Sequence, residues 1–330
     1  MLDRLRRRER GTTFYLLIVT LVLGFVLSVS TDSFFSLRNL LDLLSSYAFV
    51  GVLAAGLLVV LISGGIDISF TATASIAQYV MMAYLIDYDG NWLIAFAMAG
   101  AIGIALGAVN AVLIHYLRVS SIIITIATLN IFFGLLIFIT KGAYLYTFPD
   151  WFSSGFNLFE YTDAAGNYYS LSLQILVLFA AFALTYVLLN RTTTGRQIYA
   201  MGSNPEAAKR LGFNILWLHL FVYCYMGFLA GIASVIQAQL AQSIAPTVLV
   251  GKELDVLAAV VLGGASLTGG VGSVGGALLG IALLAFLQNG LILLGVSSYW
   301  SPVFTGAVIL ISVSATTYSG RLGKRASAAP

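Results

Sequence analysis

The sequence predicts an all-α protein embedded in a membrane, with about ten helices that cross the bilayer. Of its 330 residues, 60% are apolar and only 9% are charged, whereas a soluble globular domain carries about 25% charged residues. A bilayer crossing needs about 20 mostly apolar residues. Runs that meet or approach this length lie near residues 13–31, 40–63, 68–86, 92–117, 120–140, 171–190, 215–240, 271–294 and 300–318.

A tenth apolar run, 254–264, is shorter and is framed by charged residues on one side and by Gly263 and Gly264 on the other. A helix that enters the membrane without crossing it is allowed where protein, rather than lipid, surrounds its ends. This run is therefore interpreted either as a full span or as a half-span.

The basic residues predict the orientation, because cytoplasmic loops of membrane proteins collect Lys and Arg. If the N-terminus is inside and ten crossings alternate, only Arg38, Lys141 and Lys252 of the 16 basic residues lie outside. With nine crossings, the basic cluster at 321–325 would also lie outside. The charge distribution therefore favours ten crossings, with both the N-terminus and the C-terminus in the cytoplasm.

We expect a single transmembrane domain, 1–330, that carries two long polar loops. Loop 141–170 is predicted to lie outside, is rich in Tyr, Phe and Trp, and holds one basic residue. Its aromatic residues are typical of the belt at the membrane interface, and they also suit a docking surface for an external partner. Loop 191–214 is predicted to lie inside and is the longest polar stretch on that side.

The inner loop carries the signals of a short helix start. Either Ser203 or Asn204 can serve as the N-cap, because their side chains accept a bond from a free backbone N–H of the first turn. Pro205 suits the first helical position. Glu206 then lies where the helix dipole favours a carboxylate. A helix of roughly two turns is therefore predicted to begin at this point.

The same loop also carries signals for where helices end. Ala207 and Ala208 favour a helical backbone, and Gly212 is a natural stop after them. Gly195, further upstream, is interpreted as the end of an extension of the preceding span. The product would be a short helix that lies between two spans on the cytoplasmic face.

Three separated motifs resemble those of one transporter family, the ribose/xylose/galactoside permeases of ATP-binding-cassette importers. The family's coupling loop reads approximately G-x-N-x-x-A-A-x-x-x-G-[IV]; the matching residues are Gly202, Asn204, Ala207, Ala208 and Gly212, and Phe213 departs from it. The stretch 63–69, SGGIDIS, resembles the family's SGGIDLS signature. The stretch 253–276 resembles its long glycine-rich C-terminal signature.

The resemblance implies a permease subunit, in a bacterial inner membrane, that imports a monosaccharide or a related polyol. It implies that the loop helix inserts into a groove of a cytoplasmic ATPase, and that ATP with Mg²⁺ is bound there. Its other implied partners are a second permease subunit, either a copy or a paralogue, and a periplasmic sugar-binding protein. The chain has no G-x-x-x-x-G-K-[ST] phosphate loop, so we expect no cofactor in this chain.

Glycines near two of these motifs suggest close packing or a flexible break in the helices. Gly64 and Gly65 precede Asp67, and Gly263, Gly264, Gly269 and Gly270 belong to a glycine-rich run that continues with Gly272, Gly276 and Gly280. The last three share a helical face at intervals of four residues. Small residues let membrane helices approach closely. A break in a helix at these glycines would instead provide hinge positions near the path that the substrate takes through the membrane.

Asp67 is an ionisable residue at or near membrane depth, which by default suggests a function. We favour a cap or a structural pairing at the start of the next span as its role.

The substrate pathway is predicted from polar side chains within the spans, which must face protein or water rather than lipid. We expect Gln78, Asn130 and Gln237 to contact the substrate. Phe132 or Phe133 would act as a gate.

Two other function classes are weaker. An ion-gradient-coupled secondary carrier needs acidic residues in the spans, and Asp67 is the only candidate. An intramembrane enzyme needs a G-x-S-x-G, H-E-x-x-H or paired-aspartate motif, and none is present. With one cysteine, Cys224, and with His115 and His219 outside any Cys or acidic cluster, neither catalytic residues nor a metal site is expected. The scattered basic residues do not predict nucleic-acid binding.

Overall fold

The structure, a computed structural model, describes residues 2–31, 33–162, 168–300, 302–307 and 310. The helices are α1 Leu2–Ser30, α2 Leu37–Ser46, α3 Ala48–Ile62, α4 Phe70–Tyr88, α5 Trp92–Leu117, α6 Ser121–Thr140, α7 Asp150–Ser153, α8 Leu173–Arg191, α9 Thr193–Ser203, α10 Pro205–Arg210, α11 Ile215–Ala241, α12 Lys252–Leu262 and α13 Val274–Leu293. Two strands, β1 Asn157–Thr162 and β2 Tyr168–Ser172, complete the main elements. A 3₁₀ turn, Ser298–Trp300, leads into a short helix at 302–307.

The described helices make this a multi-pass membrane protein. Six helices, α1, α5, α6, α8, α11 and α13, are long and apolar enough to cross a bilayer. A seventh crossing is possible if α2 and α3 form one span, which is bent by 52°. Most of the predicted span 300–318 and the basic cluster at 321–325 lie outside the described residues.

Helix α4 follows the predicted run 68–86, but its composition is too polar for it to count among these apolar spans. Thr71, Thr73, Ser75 and Gln78 are all buried in the chain. Helices α5, α6 and α11 pack around α4, so protein rather than lipid surrounds most of its surface. Its polar side chains are therefore tolerated at membrane depth.

The short run 254–264 forms α12, Lys252–Leu262, a helix of 11 residues. At 1.5 Å per residue it is about 16 Å long, which is about half of a 30 Å hydrocarbon core. The half-span interpretation therefore describes this helix, and it lies against α3 and α13.

Helix α3 forms the centre of the bundle. All its residues except Val50 are buried, which explains its continuously apolar sequence, since a helix that is apolar all round is a buried one. Helices α8, α11, α12 and α13 pack around it. Helix α3 therefore connects these four helices.

Loop 141–170 contains secondary structure that the all-α prediction missed. Strands β1 and β2 form an antiparallel hairpin in which Phe159 pairs with Leu171 and Tyr161 pairs with Tyr169. Serine hydroxyls of Ser45 and Ser172 are 2.8 Å apart, so the hairpin lies at the same end of the bundle as α2. The alternation of aromatic and polar residues in this loop was the signal for strands.

Helices α5 and α11 cross with their backbones in close contact. A Cβ atom on Gly103 would overlap the backbone carbonyl of Gly227, and one on Gly227 would overlap that of Gly103. Gly107 and Gly231 approach the partner backbone in the same way. Sequence reasoning did not single out these glycines, although their spacing of four is the small-residue pattern of membrane helix pairs.

Replacing Gly227 by Ala is expected to lower the thermal stability of the detergent-solubilised protein. The new methyl group forces α5 and α11 apart, and overpacking of this kind costs about 1–3 kcal/mol. The matched control is Gly134→Ala on α6, where an added Cβ meets open space. A Gly227→Ala melting temperature as high as that of the control would contradict the close crossing.

Candidate functional site

The loop between α8 and α11 folds into two helices rather than one. The side chain of Thr192 accepts a hydrogen bond of 3.0 Å from Gly195 N–H and starts α9. A Cβ atom on Gly195 would overlap the carbonyl oxygen of Leu188. The interpretation of Gly195 as the end of a span extension is therefore wrong, because this glycine lets α9 fold back against α8.

Helix α9 is held against the bundle by an apolar face. Ile198 and Met201 are fully buried beside α3 and α11, and burying side chains of this size stabilises a contact by roughly 1.5–3 kcal/mol each. The hydroxyl of Tyr199 also donates to the backbone oxygen of Gly272 at 2.7 Å. Sequence reasoning missed α9, although the N-cap at Thr192 and the three-residue spacing of Ile198 and Met201 were signals for it.

The predicted short helix is present as α10, and Asn204 is its N-cap. The Asn204 side chain accepts a hydrogen bond of 3.0 Å from Ala207 N–H, and Pro205 occupies the first turn. Ser203, the other candidate, instead donates to the carbonyl of Tyr199 within α9. The helix ends where Gly212 adopts a positive φ of 84°, as its stop position requires.

Helix α10 projects from the bundle. Ala208 is its only buried residue, whereas Pro205, Glu206 and Ala207 are exposed. Leu211, just beyond the helix, is 71% exposed. Helix α10 is therefore exposed at this end of the molecule, and Leu211 gives it an apolar tip.

Glycines from the three sequence motifs meet directly beneath α10. The N–H of Gly270 donates to the carbonyl of Ile62 at 2.9 Å, and a Cβ on Gly202 would overlap the same carbonyl oxygen. A Cβ on Gly269 would lie 2.6 Å from both the Gly202 oxygen and the Gly64 Cα. We call these four glycines and Ile62 the glycine junction. No side chain larger than hydrogen fits at Gly202, Gly269 or Gly270, whereas Gly64 is favoured there by its positive φ of 87°.

Helices α3 and α12 end with the same turn as they approach the junction. At the end of α3, Gly65 N–H donates to the Val60 oxygen, and at the end of α12, Ala265 N–H donates to the Val260 oxygen. Gly64 and Gly264 both have a φ of 87°. This is the bonding of a Schellman turn, in which a glycine in left-handed conformation ends the helix.

Gly65 and Gly263 have no room for side chains either. A Cβ on Gly65 would overlap the hydroxyl of Tyr223, and one on Gly263 would lie 2.5 Å from the Gly276 oxygen. Gly276 and Gly280 face α12, but Gly272 precedes α13 and packs against the Ile62 side chain. The expectation that Gly272, Gly276 and Gly280 share one helical face is therefore wrong for Gly272.

Asp67 is buried in the turn between α3 and α4. One of its carboxylate oxygens accepts bonds from the Ser69 N–H at 2.8 Å and the Ser69 hydroxyl at 2.7 Å. The Ser69 oxygen in turn accepts a bond of 2.6 Å from the Asn110 side chain. This network ties the carboxylate to the backbone just before α4 begins.

The candidate pathway residues are not gathered around one channel within the chain. Gln78 is buried, and its amide nitrogen has no hydrogen-bond partner among the described residues. Phe132 and Phe133 are buried against Ala72 of α4. Asn130 lies on the opposite, exposed face of α6, where it donates to the Ile126 carbonyl at 2.8 Å. The prediction that Asn130 and the buried Gln78 line one pathway is therefore wrong within a single chain.

Gln237, the remaining pathway candidate, is half-buried on α11. Helix α11 packs against α4, the helix that carries Gln78. These two amides are thus on neighbouring helices.

The opposite end of the bundle carries an aromatic cluster beside the hairpin. Trp151 Nε1–H donates to the Asp89 carboxylate at 2.7 Å, and Trp92 stacks on Phe152. The bonds from Trp151 and from Gly90 N–H lower the pKa of Asp89. Asp89 is therefore ionised at neutral pH and keeps accepting these bonds.

Within the part of the chain that the structure describes, no three His, Cys, Asp or Glu side chains are grouped to hold a metal ion. The rings of His115 and His219, distant in sequence, have centroids 5.7 Å apart.

Replacing Gly202 by Ala is expected to open the glycine junction, because the methyl group displaces the Ile62 carbonyl from Gly270 N–H. Hydrogen–deuterium exchange of peptides that cover 263–273 should then accelerate at least tenfold. Gly275→Ala, where a Cβ meets open space, is the matched control. Equal exchange in both variants would show that the contact at Gly202 does not hold the junction closed.

Comparisons with known proteins identify the family of the chain. Residues 39–313 match the family model described as "Branched-chain amino acid transport system / permease component". The chain is 35% identical to the ribose import permease protein of Escherichia coli (strain K12), over 90% of this chain and 91% of the relative.

Two further relatives cover similar lengths. The ribose import permease protein of Bacillus subtilis (strain 168) is 34% identical over 88% of both chains. The galactose/methyl galactoside import permease protein of Escherichia coli (strain K12) is 30% identical over 90% of this chain and 91% of the relative. No solved structure matches the chain. The matched length and these identities place the chain in the family of permease components to which these import permeases belong.

Proposed function

We propose that this chain is the membrane-spanning subunit of an ATP-driven importer that carries a monosaccharide or a related polyol. The observation that carries the proposal is the exposed helix α10, fixed to the membrane helices through a junction of backbone contacts. The family and the sugar import permeases among its relatives support the transport role and the substrate class.

In this proposal α10 inserts into a groove of a cytoplasmic ATPase. The residues assigned to coupling are Gly202, Asn204, Pro205, Glu206, Ala207, Ala208 and Gly212. Asn204, Pro205 and Gly212 fix where the helix begins and ends, and Gly202 links it to the junction. The exposed surface of α10 and the apolar side chain of Leu211 would contact the groove, because buried apolar anchors dominate protein interfaces.

The remaining partners follow from the same assignment. The ATPase would bind ATP with Mg²⁺, since this chain has no phosphate loop. A periplasmic sugar-binding protein would dock on loop 141–170, where Phe159 and Tyr161 of the hairpin are exposed. A second permease, either a copy or a paralogue, would complete the membrane unit.

We also propose the topology that the basic residues predict. The chain would lie in the inner membrane of a bacterium with both termini in the cytoplasm and about ten helices in the bilayer, of which α12 is a half-span. The glycine junction would then be near the cytoplasmic face. Loop 191–214 would be cytoplasmic and loop 141–170 periplasmic.

We also propose which residues line the substrate pathway and which act in gating. Gln78 and Gln237 would offer amides towards the chain interior, and Phe132 or Phe133 would limit passage beside α4. Asn130 would instead face a second permease subunit, because its amide is exposed on α6. The residues assigned a structural or gating role in the helix bundle are Gly64, Gly65, Asp67, Gly263, Gly264, Gly269 and Gly270.

Replacing Leu211 by Glu is expected to reduce co-purification of a phosphate-loop ATPase at least tenfold. A charge at the apolar tip beside α10 would have to be buried in the ATPase groove, which is costly. The measurement is mass spectrometry of a tagged chain purified gently from its native membranes. Leu158→Glu in the hairpin is the matched control, since Leu158 is 58% exposed at the other end of the molecule.

Retention of the ATPase by Leu211→Glu would contradict the role of α10. A wild-type chain that carries no ATPase and still transports sugar after reconstitution alone would contradict the importer itself.

A further inference from the structure

A cavity of about 280 Å³, lined by both apolar and polar side chains, lies on the hairpin side of the bundle, between three chain segments. The first is the bend between α2 and α3, the second is the first turn of α12, and the third is the later half of α13. Its polar lining includes Ser46, Tyr47, Lys252, Asp255, Gln288 and Asn289. We call it the bend cavity. None of the roles assigned so far uses these residues.

Hydrogen bonds hold the polar groups of the cavity in place. Tyr47 donates its hydroxyl to the Gln288 side-chain oxygen at 2.6 Å. Asn289 exchanges two bonds of 3.1 Å with Asn39. These contacts fix an aromatic ring and two amides around the space, and such fixed groups give a small-molecule site its orientation and specificity.

Each charged side chain that lines the cavity has an ion-pair partner. Lys252 lies 3.5 Å from Asp255, and Asp42, which also lines the cavity, lies 3.9 Å from Arg38. A cation would need a carboxylate in excess and an anion would need a base in excess. The lining therefore suits a neutral molecule with many hydroxyl groups, which can donate to carboxylate and amide oxygens and accept from ammonium and amide N–H groups.

The size of the cavity agrees with a small ligand. Sites for drug-sized molecules usually measure about 300–1,000 Å³, and the bend cavity is slightly smaller than that. Apolar side chains, including Leu43 and Leu284, form part of the wall. With the Tyr47 ring, they offer surface for the C–H groups of a sugar.

The cavity lies beside two discontinuous helices, a feature that it shares with the substrate sites of secondary transporters. Here a bent span meets a short helix, α12, on the hairpin side of the bundle. Helices α3 and α12 both run from the glycine junction to this cavity. The 15 residues of α3 place Tyr47 about 22 Å from the junction along the helix axis.

We propose that the bend cavity is a binding site for the transported sugar within each permease chain. The site rests on the proposed function, since it takes its ligand class from it. Asp255 and Gln288 would accept from sugar hydroxyls, Lys252 and the amide of Asn289 would donate to them, and Tyr47 would cover one face of the ring.

The test is sugar protection of a cysteine placed in the cavity. Ser46→Cys, in a Cys224→Ser background, is labelled with a hydrophilic thiol reagent in proteoliposomes that hold the complete importer. Labelling is measured with D-ribose, L-arabinose or D-galactose at millimolar concentrations, and with sucrose as a bulky control. Ser33→Cys, exposed in the segment before α2 and outside loop 141–170, is the matched control.

We expect the sugar that the wild-type importer takes up to slow labelling of Ser46→Cys at least threefold and to leave labelling of Ser33→Cys unaffected. Adding Asp255→Asn should remove this protection, whereas adding Asp87→Asn, an exposed carboxylate away from the cavity, should keep it. Sucrose should protect neither cysteine.

Two results would overturn the proposal in distinguishable ways. If the wild-type importer takes up one of the sugars but that sugar leaves Ser46→Cys labelling unchanged, the cavity is not its site and the importer function stands. If the wild type takes up none of the three sugars and none protects Ser46→Cys, the proposed substrate class fails together with the site.

Discussion

The structure depends on a contact between backbones, in which Gly202 rests on the carbonyl of Ile62 while Gly270 donates to the same oxygen. Because no side chain intervenes, the position of α10 is fixed directly by the ends of α3 and of the α12–α13 turn. A contact made by flexible side chains could absorb a small displacement of α10. Close-packed backbones transmit it instead, and the proposed coupling role of α10 requires such transmission.

Turn chemistry made the local part of this site predictable from the sequence. The effects of Asn204, Pro205 and Gly212 on the backbone reach only a few residues along the chain. Capping rules alone therefore located α10. The full-length apolar runs likewise predicted most spans, since hydrophobic length depends only on local composition. The doubtful run 254–264 could be identified as a possible half-span for the same reason.

Features that depend on contacts between distant segments were not predictable in this way. The meeting of Gly64, Gly202 and Gly269 is set by tertiary packing, and the sequence supplied only the three separate motifs. The outward position of Asn130 depends on which face of α6 the bundle covers. Helix α9 was missed because Gly195 was interpreted from its freedom in turns, whereas its role is to allow close packing.

The central claim is that the glycine junction transmits movement of α10 to the hairpin end of the bundle. Spin labels at Leu254→Cys and Leu158→Cys, in a Cys224→Ser background, report the distance between α12 and the hairpin by pulsed electron resonance in the assembled complex. We predict that ATP changes this distance, and that Gly202→Ala abolishes the change while the ATPase remains bound. An ATP-dependent change that persists in Gly202→Ala would contradict the claim.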